Sequence, residues 1–457
     1  MTKDMDALVI FGATGDLAKL ETFPALVGLV GRGVLDVPVV GVAKSGWGLE
    51  QFRDYATASL KNNDIDPSDE AASKLLGLLD YIDGDLDDPA TYQALADKLG
   101  NRRKILFYLE VPPFLFARIA KGIQGAGLAA DSRVMVEKPF GNDLASSIEL
   151  NATMHEIFSE DRIYRVDHWL GLEPTDNMMY TRFSNSILEP LLNRTHVANV
   201  QITMAEAFDV SDRGSFYDHT GATRDVVQNH MLQVLATALA DPPGGSGTGR
   251  WRDSKAQLLS AIAPLTPEHT VRGQYDGYLD VSGVAAGSTT ETFTAVRLAV
   301  NSWRWRGVPI YIRAGKCLPV TATEITFTFR PPPHDVFSMD RDHDANQLSF
   351  RIWPESAVRL SVTGKRPGAG WFSQIEELTF AQQPGEDMRP YDRLIGAALD
   401  GDNWLFAKQD TVETAWRIVD PILGDATPVH SYPRGTWGPK EADGLLLGND
   451  AWHDPAG

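Results

Sequence analysis

The chain has one cysteine, Cys317, among 457 residues, so no disulfide can form within it. Disulfide-dense secreted scaffolds are excluded, and a reducing compartment is the default. Long hydrophobic runs are also missing: no stretch reaches the ~18 uninterrupted apolar residues that a membrane span needs. The opening residues, MTKDMDALVIFG, carry acid and only a short apolar run, unlike a signal peptide, so a cytoplasmic protein is expected. Positive charge is scarce. Lys+Arg number 42 against 61 Asp+Glu, a formal net charge of -19. Such a chain is a poor ligand for nucleic acid or anionic membranes, whose phosphates call for basic patches. An anionic small molecule is repelled too unless lysines gather locally, so any lysine beside a chemical motif is informative. The remainder is ordinary for a globular protein: 43% hydrophobic and 23% charged residues, in a length that fits two or three domains.

The first third alternates buried-strand and helix patterns. Residues 7–11 and 37–43 are continuous apolar runs, the mark of parallel strands covered on both faces, and helical spacing over 17–30 separates them. Residues 104–111 and 133–136 read as further strands, with 114–123 and 143–158 as amphipathic helices. This rhythm predicts an α/β N-terminal domain, doubly wound and Rossmann-like, over residues 1–171. Beyond it comes a long helical pattern at 225–240. Period-two runs lie at 200–205, 291–300, 309–313, 324–329 and 358–362. Strands without intervening helices predict an α+β C-terminal domain over residues 172–457, with a large, mainly antiparallel sheet. Residues 331–344 read as an exposed loop. The acids around His343 there lack a metal-ligand spacing, so no metal site is expected.

FGATGDLAK, from Phe11 to Lys19, opens a helix straight after a buried strand. Gly12 and Gly15 allow a tight turn, and Ala13, Thr14, Asp16 and Leu17 complete a helix N-terminus whose N–H groups suit a pyrophosphate. The spacing is G-x-x-G-x-x-A rather than G-x-G-x-x-G. The next strand ends in Lys44 and Ser45, where an acid for an adenosine ribose often stands. A cation and a hydroxyl favour NADP, with NAD left open. EKPFG places Lys138 at a strand end, where ligands of such sheets bind. RVDHWLG sets Asp167 beside His168, and RDVVQNH ends at His230. A histidine that removes a hydroxyl proton needs a pKa near working pH and a carboxylate to hold its tautomer. Spacing alone does not separate these residues from histidines satisfied in a core.

Taken together, these motifs resemble the glucose-6-phosphate dehydrogenase family. The resemblance runs in order through GATGDLAK, FYLEVPP (107–113), EKPFG, RVDHWLG, RDVVQNH, VRGQYDGY (271–278), RAGK (313–316), YDRLIGAALDGDNWLFAKQD (391–410) and TWGP. It covers essentially the whole chain. It implies hydride transfer from C1 of a hexopyranose, by default glucose 6-phosphate, to NADP, giving the 1,5-lactone. By motif position His230 is the implied general base, Asp167 its partner, and Lys138 the group that holds the C1 hydroxyl and nicotinamide in register. Glu206, Asp225 and Lys316 are implied to bind sugar hydroxyls. Lys19 is implied to face the substrate and His168 to meet its phosphate, while Pro112 joins the implied cofactor residues. A homodimer or homotetramer through the second domain's sheet is implied in the same way.

The phosphate end departs from the family. Trp169 and Leu172 stand where a Tyr and a Lys are usual, and Thr321 stands five positions after Lys316, in place of a second Lys. Hydrogen bonds to a charged group are worth roughly 1.5–3 kcal/mol each. Two missing lysines thus remove about 3–6 kcal/mol, on the order of 10²–10⁴-fold in affinity. The same oxidation of a hexose without a 6-phosphate is therefore a second expectation. A non-catalytic regulatory homologue is a third, and the retained Asp167 and His230 argue against it. Glu110 replaces a small residue in FYLEVPP, which puts an acid near the expected cofactor path, either solvated or biased against NADP. Cys317 is expected to be a small buried filler.

Overall fold

The computed structural model describes residues 5–245, 249–334, 336, 345–368, 370–381 and 388–456. His343 and its neighbouring acids lie outside the described residues. The described chain divides into two compact units, the first built from residues 5–172, 249–252 and 388–413 and the second from the remainder. A single boundary at residue 171 therefore misses two returns of the chain to the first unit. The later return is held by packing: Leu394, Ile395 and Ala398 of the helix Pro390–Asp400 sit in the first unit's core. Asp392 of the same helix pairs with Arg32 at 2.6 Å.

The first unit carries a six-stranded parallel sheet with β1 (Ala7–Phe11), β2 (Val39–Ala43), β3 (Leu79–Asp83), β4 (Ile105–Leu109), β5 (Arg133–Val136) and β6 (Ile163–Arg165) in the order β3-β2-β1-β4-β5-β6. Every residue of β1 and β4 is buried, as their unbroken apolar runs require of strands covered on both faces. The second strand starts two residues later than its apolar run because Pro38 has no N–H to give to a ladder. The order reverses beside β1, so the turn after β1 lies at the switch point where open α/β sheets bind ligands.

The second unit carries a nine-stranded sheet. Its strands are β7 (Val197–Ala205), β8 (Thr270–Tyr275), β9 (Phe293–Ala299), β10 (Pro309–Gly315), β11 (Ala322–Phe329), β12 (Gln347–Trp353), β13 (Ala357–Lys365), β14 (Ser373–Ala381) and β15 (Val429–Tyr432). Their order is β14-β13-β12-β11-β7-β10-β9-β8-β15, and all neighbours are antiparallel except the β7–β10 and β8–β15 pairs. The parallel β7–β10 pair brings Ala205 and Gly315 into register, and antiparallel β11 starts opposite them, with Ala322 facing Ala205. Residues that follow β7 and β10, or precede β11, consequently lie together at one end of these central strands. No helix among the described residues is long and apolar enough to cross a membrane.

Candidate active site

The first unit's glycine turn is forced by its backbone. Gly12 has φ +86°, and a Cβ there would lie 2.2 Å from the carbonyl oxygen of Glu110. Gly12 N–H donates to Val42 and Gly15 N–H to Gly12. The chain then winds as a π-helical segment, Ala18–Thr22, before the α-helix Phe23–Gly31. The sequence pattern had run these together as one helix. The wider winding carries Lys19, which lies 6.0 Å from the Tyr55 ring. A turn that only glycine can make, followed by a helix start, fits the pyrophosphate of a dinucleotide.

The Thr14 hydroxyl meets that of Ser45 at 2.8 Å, which joins the glycine turn to the end of β2. Lys44 is exposed and donates to Asp85 at 2.7 Å. That bond, foremost among the nearby acids, raises the lysine and lowers the carboxyl. Asp83 accepts the N–H groups of Ser45 and Gly46 at 2.9 and 2.7 Å. Asp83, at the end of β3, thus fixes the turn that carries Ser45 after β2. Pro112 is exposed just beyond β4.

At the far side of this sheet, Arg165 is buried and donates to both oxygens of Glu160 at 2.9 Å. That clamp fixes β6, and the chain leaves it through Asp167. Asp167 is 2% exposed and caps the short helix His168–Gly171 by accepting the Trp169 N–H at 3.1 Å. His168, Trp169 and Leu172 are each half-buried. Lys138 is half-buried after β5, and its peptide bond to Pro139 is cis. Glu137 beside it accepts the Tyr108 hydroxyl at 2.7 Å. Glu110, expected to be solvated or to bias against NADP, is not solvated: its carboxyl turns inward. The Thr22 hydroxyl donates to it, and burial is the main cause that raises it.

In the second unit, Lys316 Nζ lies 2.6 Å from Glu206 Oε2 just beyond the C-terminal ends of β7 and β10. The ammonium also lies over the rings of Phe208 and Tyr217, at 4.9 and 5.3 Å. Thr321 Oγ1 accepts the Ala207 N–H at 3.0 Å, so Glu206, Lys316 and Thr321 form one cluster. Phe208 and Tyr217 were not foreseen as part of it. Cys317 is buried, as a filler should be.

Asp225 and His230 sit on a π-helical segment, Thr223–Met231, rather than on the α-helix that their spacing predicted. In an α-helix residues five apart diverge by about 140°. The i→i+5 winding of a π-helix draws them toward one face. Glu291 anchors the start of this segment by accepting the Thr223 N–H at 3.0 Å, and Arg272 in turn holds Glu291 at 3.1 Å. His230 is 3% exposed.

A Rossmann-like unit with a glycine turn and a Lys–Ser pair at the end of β2, in one chain with an α+β unit bearing a Glu–Lys pair and a buried histidine, defines a nicotinamide-dependent oxidoreductase. Comparison with known proteins narrows this class. Residues 9–177 match the family model described as "Glucose-6-phosphate dehydrogenase, NAD binding domain", and residues 179–453 match "Glucose-6-phosphate dehydrogenase, C-terminal domain". The chain belongs to the glucose-6-phosphate dehydrogenase family. It is 45% identical to glucose-6-phosphate 1-dehydrogenase 1 of Mycobacterium tuberculosis (strain ATCC 25618 / H37Rv) over 98% of this chain and 96% of that one. The crystal structure of glucose-6-phosphate 1-dehydrogenase from Mycobacterium avium superposes with a TM-score of 0.91 at 43% identity, covering 99% of both chains. A glucose-6-phosphate dehydrogenase solved in complex with its substrate glucose-6-phosphate gives a TM-score of 0.91 at 32% identity, over 99% of this chain and 100% of that one.

Proposed function

We propose that the protein oxidises glucose 6-phosphate at C1 with NADP and releases the 1,5-lactone. Family membership across both units carries this reading. In the reaction C1 loses hydride and its hydroxyl loses a proton, so the C1–O bond becomes a carbonyl. His230 takes the proton. Asp167 holds the imidazole in the tautomer that can accept it and stabilises the cation that results. Lys138 donates to the C1 oxygen, and Glu206, Asp225 and Lys316 grip the sugar hydroxyls. His168 and Lys19 meet the phosphate, with the Trp169 indole N–H in place of a phenol, while Leu172 adds no charge and Thr321 only a hydroxyl. Gly12 to Leu17, with Lys44, Ser45 and Pro112, would hold the dinucleotide, and the fit rests on the turn that a Cβ at Gly12 would block. When bound, the nicotinamide supplies the hydride acceptor.

The relatives compared above are named for the phosphorylated sugar, which sets the unphosphorylated hexose second and gives no support to a non-catalytic homologue. A cytoplasmic homodimer or homotetramer goes with this reading, and a monomer in light scattering would contradict the assembly. The chemistry is tested by His230→Asn. NADP reduction with glucose 6-phosphate should fall by about 10²–10⁴-fold while dinucleotide binding persists. A variant within tenfold of the native rate would overturn the assignment of the base.

A further inference from the structure

Two acids lie under the dinucleotide-binding end of the first unit's sheet, and the mechanism above uses neither. Glu110 is bound to the glycine turn through its backbone: its N–H donates to Phe11 at 2.9 Å, and its carbonyl oxygen occupies the space a Gly12 Cβ would need. Its side chain reaches across to the hydroxyl of Thr22, in the π-helical segment that follows the turn. Its Oε2 is buried with no hydrogen-bond partner among the described residues. An ionised carboxylate is costly in such a place, whereas a protonated one is tolerated. Two residues back on the same face of β4, Tyr108 donates to Glu137 at 2.7 Å and also interacts with Glu110, so one phenol lies between the two carboxyls.

We propose that Glu110 is a positioning residue for the dinucleotide: with Tyr108 and Glu137 it forms an acid pair that keeps one proton, and loss of that proton puts a second negative charge beneath the glycine turn. Glu137, which receives the phenol and adjoins Lys138, is the member that ionises first. Burial is the main cause that lifts Glu137 to about 7 and Glu110 to about 8, and a charged Glu137 raises Glu110 further. The groups that face the pair offer little relief. Tyr55 and Tyr391, from two helices, are phenols raised by burial, Glu21 adds charge beside Tyr391, and Asp167 adds charge beside Glu137. Lys138 is the cation that acts on Glu137. A pyrophosphate bound at the turn therefore favours the protonated pair, and the proton returns from solvent as the dinucleotide binds.

The inference takes its ligand from the dehydrogenase reading, but its test does not depend on turnover. Calorimetric titration of the native protein with NADP at about pH 8, in buffers of different ionisation enthalpy, should show uptake of up to about one proton. The Kd of the native protein should weaken between about pH 6.5 and 8.5 by roughly 3–10-fold more than that of Glu110→Gln, the variant that mimics the protonated acid. Binding without proton uptake, or parallel pH profiles for native and variant, would overturn the proposal. So would a Glu110→Ala variant that binds more weakly by one constant factor while Glu110→Gln still tracks the native profile, since that marks a purely structural role. If the variants do not fold, the proton count on the native protein decides alone. Should no sugar reduce NADP, the dehydrogenase reading falls while this binding test stands.

Discussion

Lys316→Met removes a charge from the end of the second unit's central strands and leaves most of the packing. The methionine stem still fills the space between Phe208 and Tyr217, but the ammonium 2.6 Å from Glu206 is lost. The side chains are 10% and 26% exposed, so the pair lies between two limits. Exposed pairs contribute about 0–1 kcal/mol, whereas removing one member of a fully buried pair costs roughly 3–5 kcal/mol. The partial exposure, set against a cation–π share of about 0.5–1 kcal/mol, places the loss near 2–3 kcal/mol. That is a loss of stability; the loss in kcat/KM for glucose 6-phosphate comes from the charged hydrogen bond that Lys316 would give a sugar hydroxyl, roughly 1.5–3 kcal/mol or about 10–150-fold, read from reduced-nicotinamide absorbance. The double variant Lys316→Met/Glu206→Gln separates stability from function. It should melt at a higher temperature than Lys316→Met, because no carboxylate is left without its cation, yet it should regain no activity. A single variant within threefold of native, or a double variant no more stable than the single, would refute the reasoning.

Gly12→Ala combines a φ of +86° with a Cβ 2.2 Å from a backbone oxygen. The left-handed backbone alone costs about 1–2 kcal/mol, so NADP affinity should drop by more than about tenfold, and an unchanged Kd in calorimetry would contradict the cradle. Asp85→Asn releases Lys44 from its exposed partner. The ratio of kcat/KM for NADP over NAD should rise about two- to fivefold at low salt and lose that gain near 1 M salt; a ratio that does not move removes Lys44 from cofactor choice. Glu110 also predicts how stability changes with pH. Its carboxyl is raised from 4.5 to about 8, so the folded state keeps a proton that the unfolded chain releases. The stability this contributes is complete below about pH 4.5, declines as pH rises, and is lost by about pH 8. Melting temperatures of the native protein should therefore fall more steeply over that interval than those of Glu110→Gln, and parallel curves would show that Glu110 does not carry the proton.

The parts of this fold that were legible in sequence are those where one physical cause dominates. Residues 7–11 are apolar at every position, and only a strand buried on both faces has use for that pattern, so β1 matched its expected bounds. Elements set by long-range pairing were less visible. β14 is exposed along most of its length, and its SQIEELTFA has no buried face to impose alternation, so only its pairing with β13 defines it. β3 and β15 lie toward the edges of their sheets and carry polar residues that blur the signal. The helix Pro390–Asp400 read as part of the second domain because nothing local tells which core Leu394 and Ile395 will enter. At the site, candidate residues could be proposed from sequence, but their local geometry could not. The π-helical winding around Lys19 and His230 depends on i→i+5 hydrogen bonds, which a 3.6-residue period does not register. Glu110 appeared in sequence as an acid out of place, and only the fold shows that its carboxyl turns beneath the glycine turn toward Thr22.

The central claim is that this chain oxidises the phosphorylated sugar although Leu172 and Thr321 stand at two positions where lysines are usual. The most direct measurement is kcat/KM for glucose 6-phosphate and for glucose, side by side, with NADP in excess. Even one surviving charged hydrogen bond to phosphate is worth roughly 1.5–3 kcal/mol, so the account predicts a preference for glucose 6-phosphate of at least about 10- to 100-fold. Equal values for the two sugars, or a preference for glucose, would contradict it.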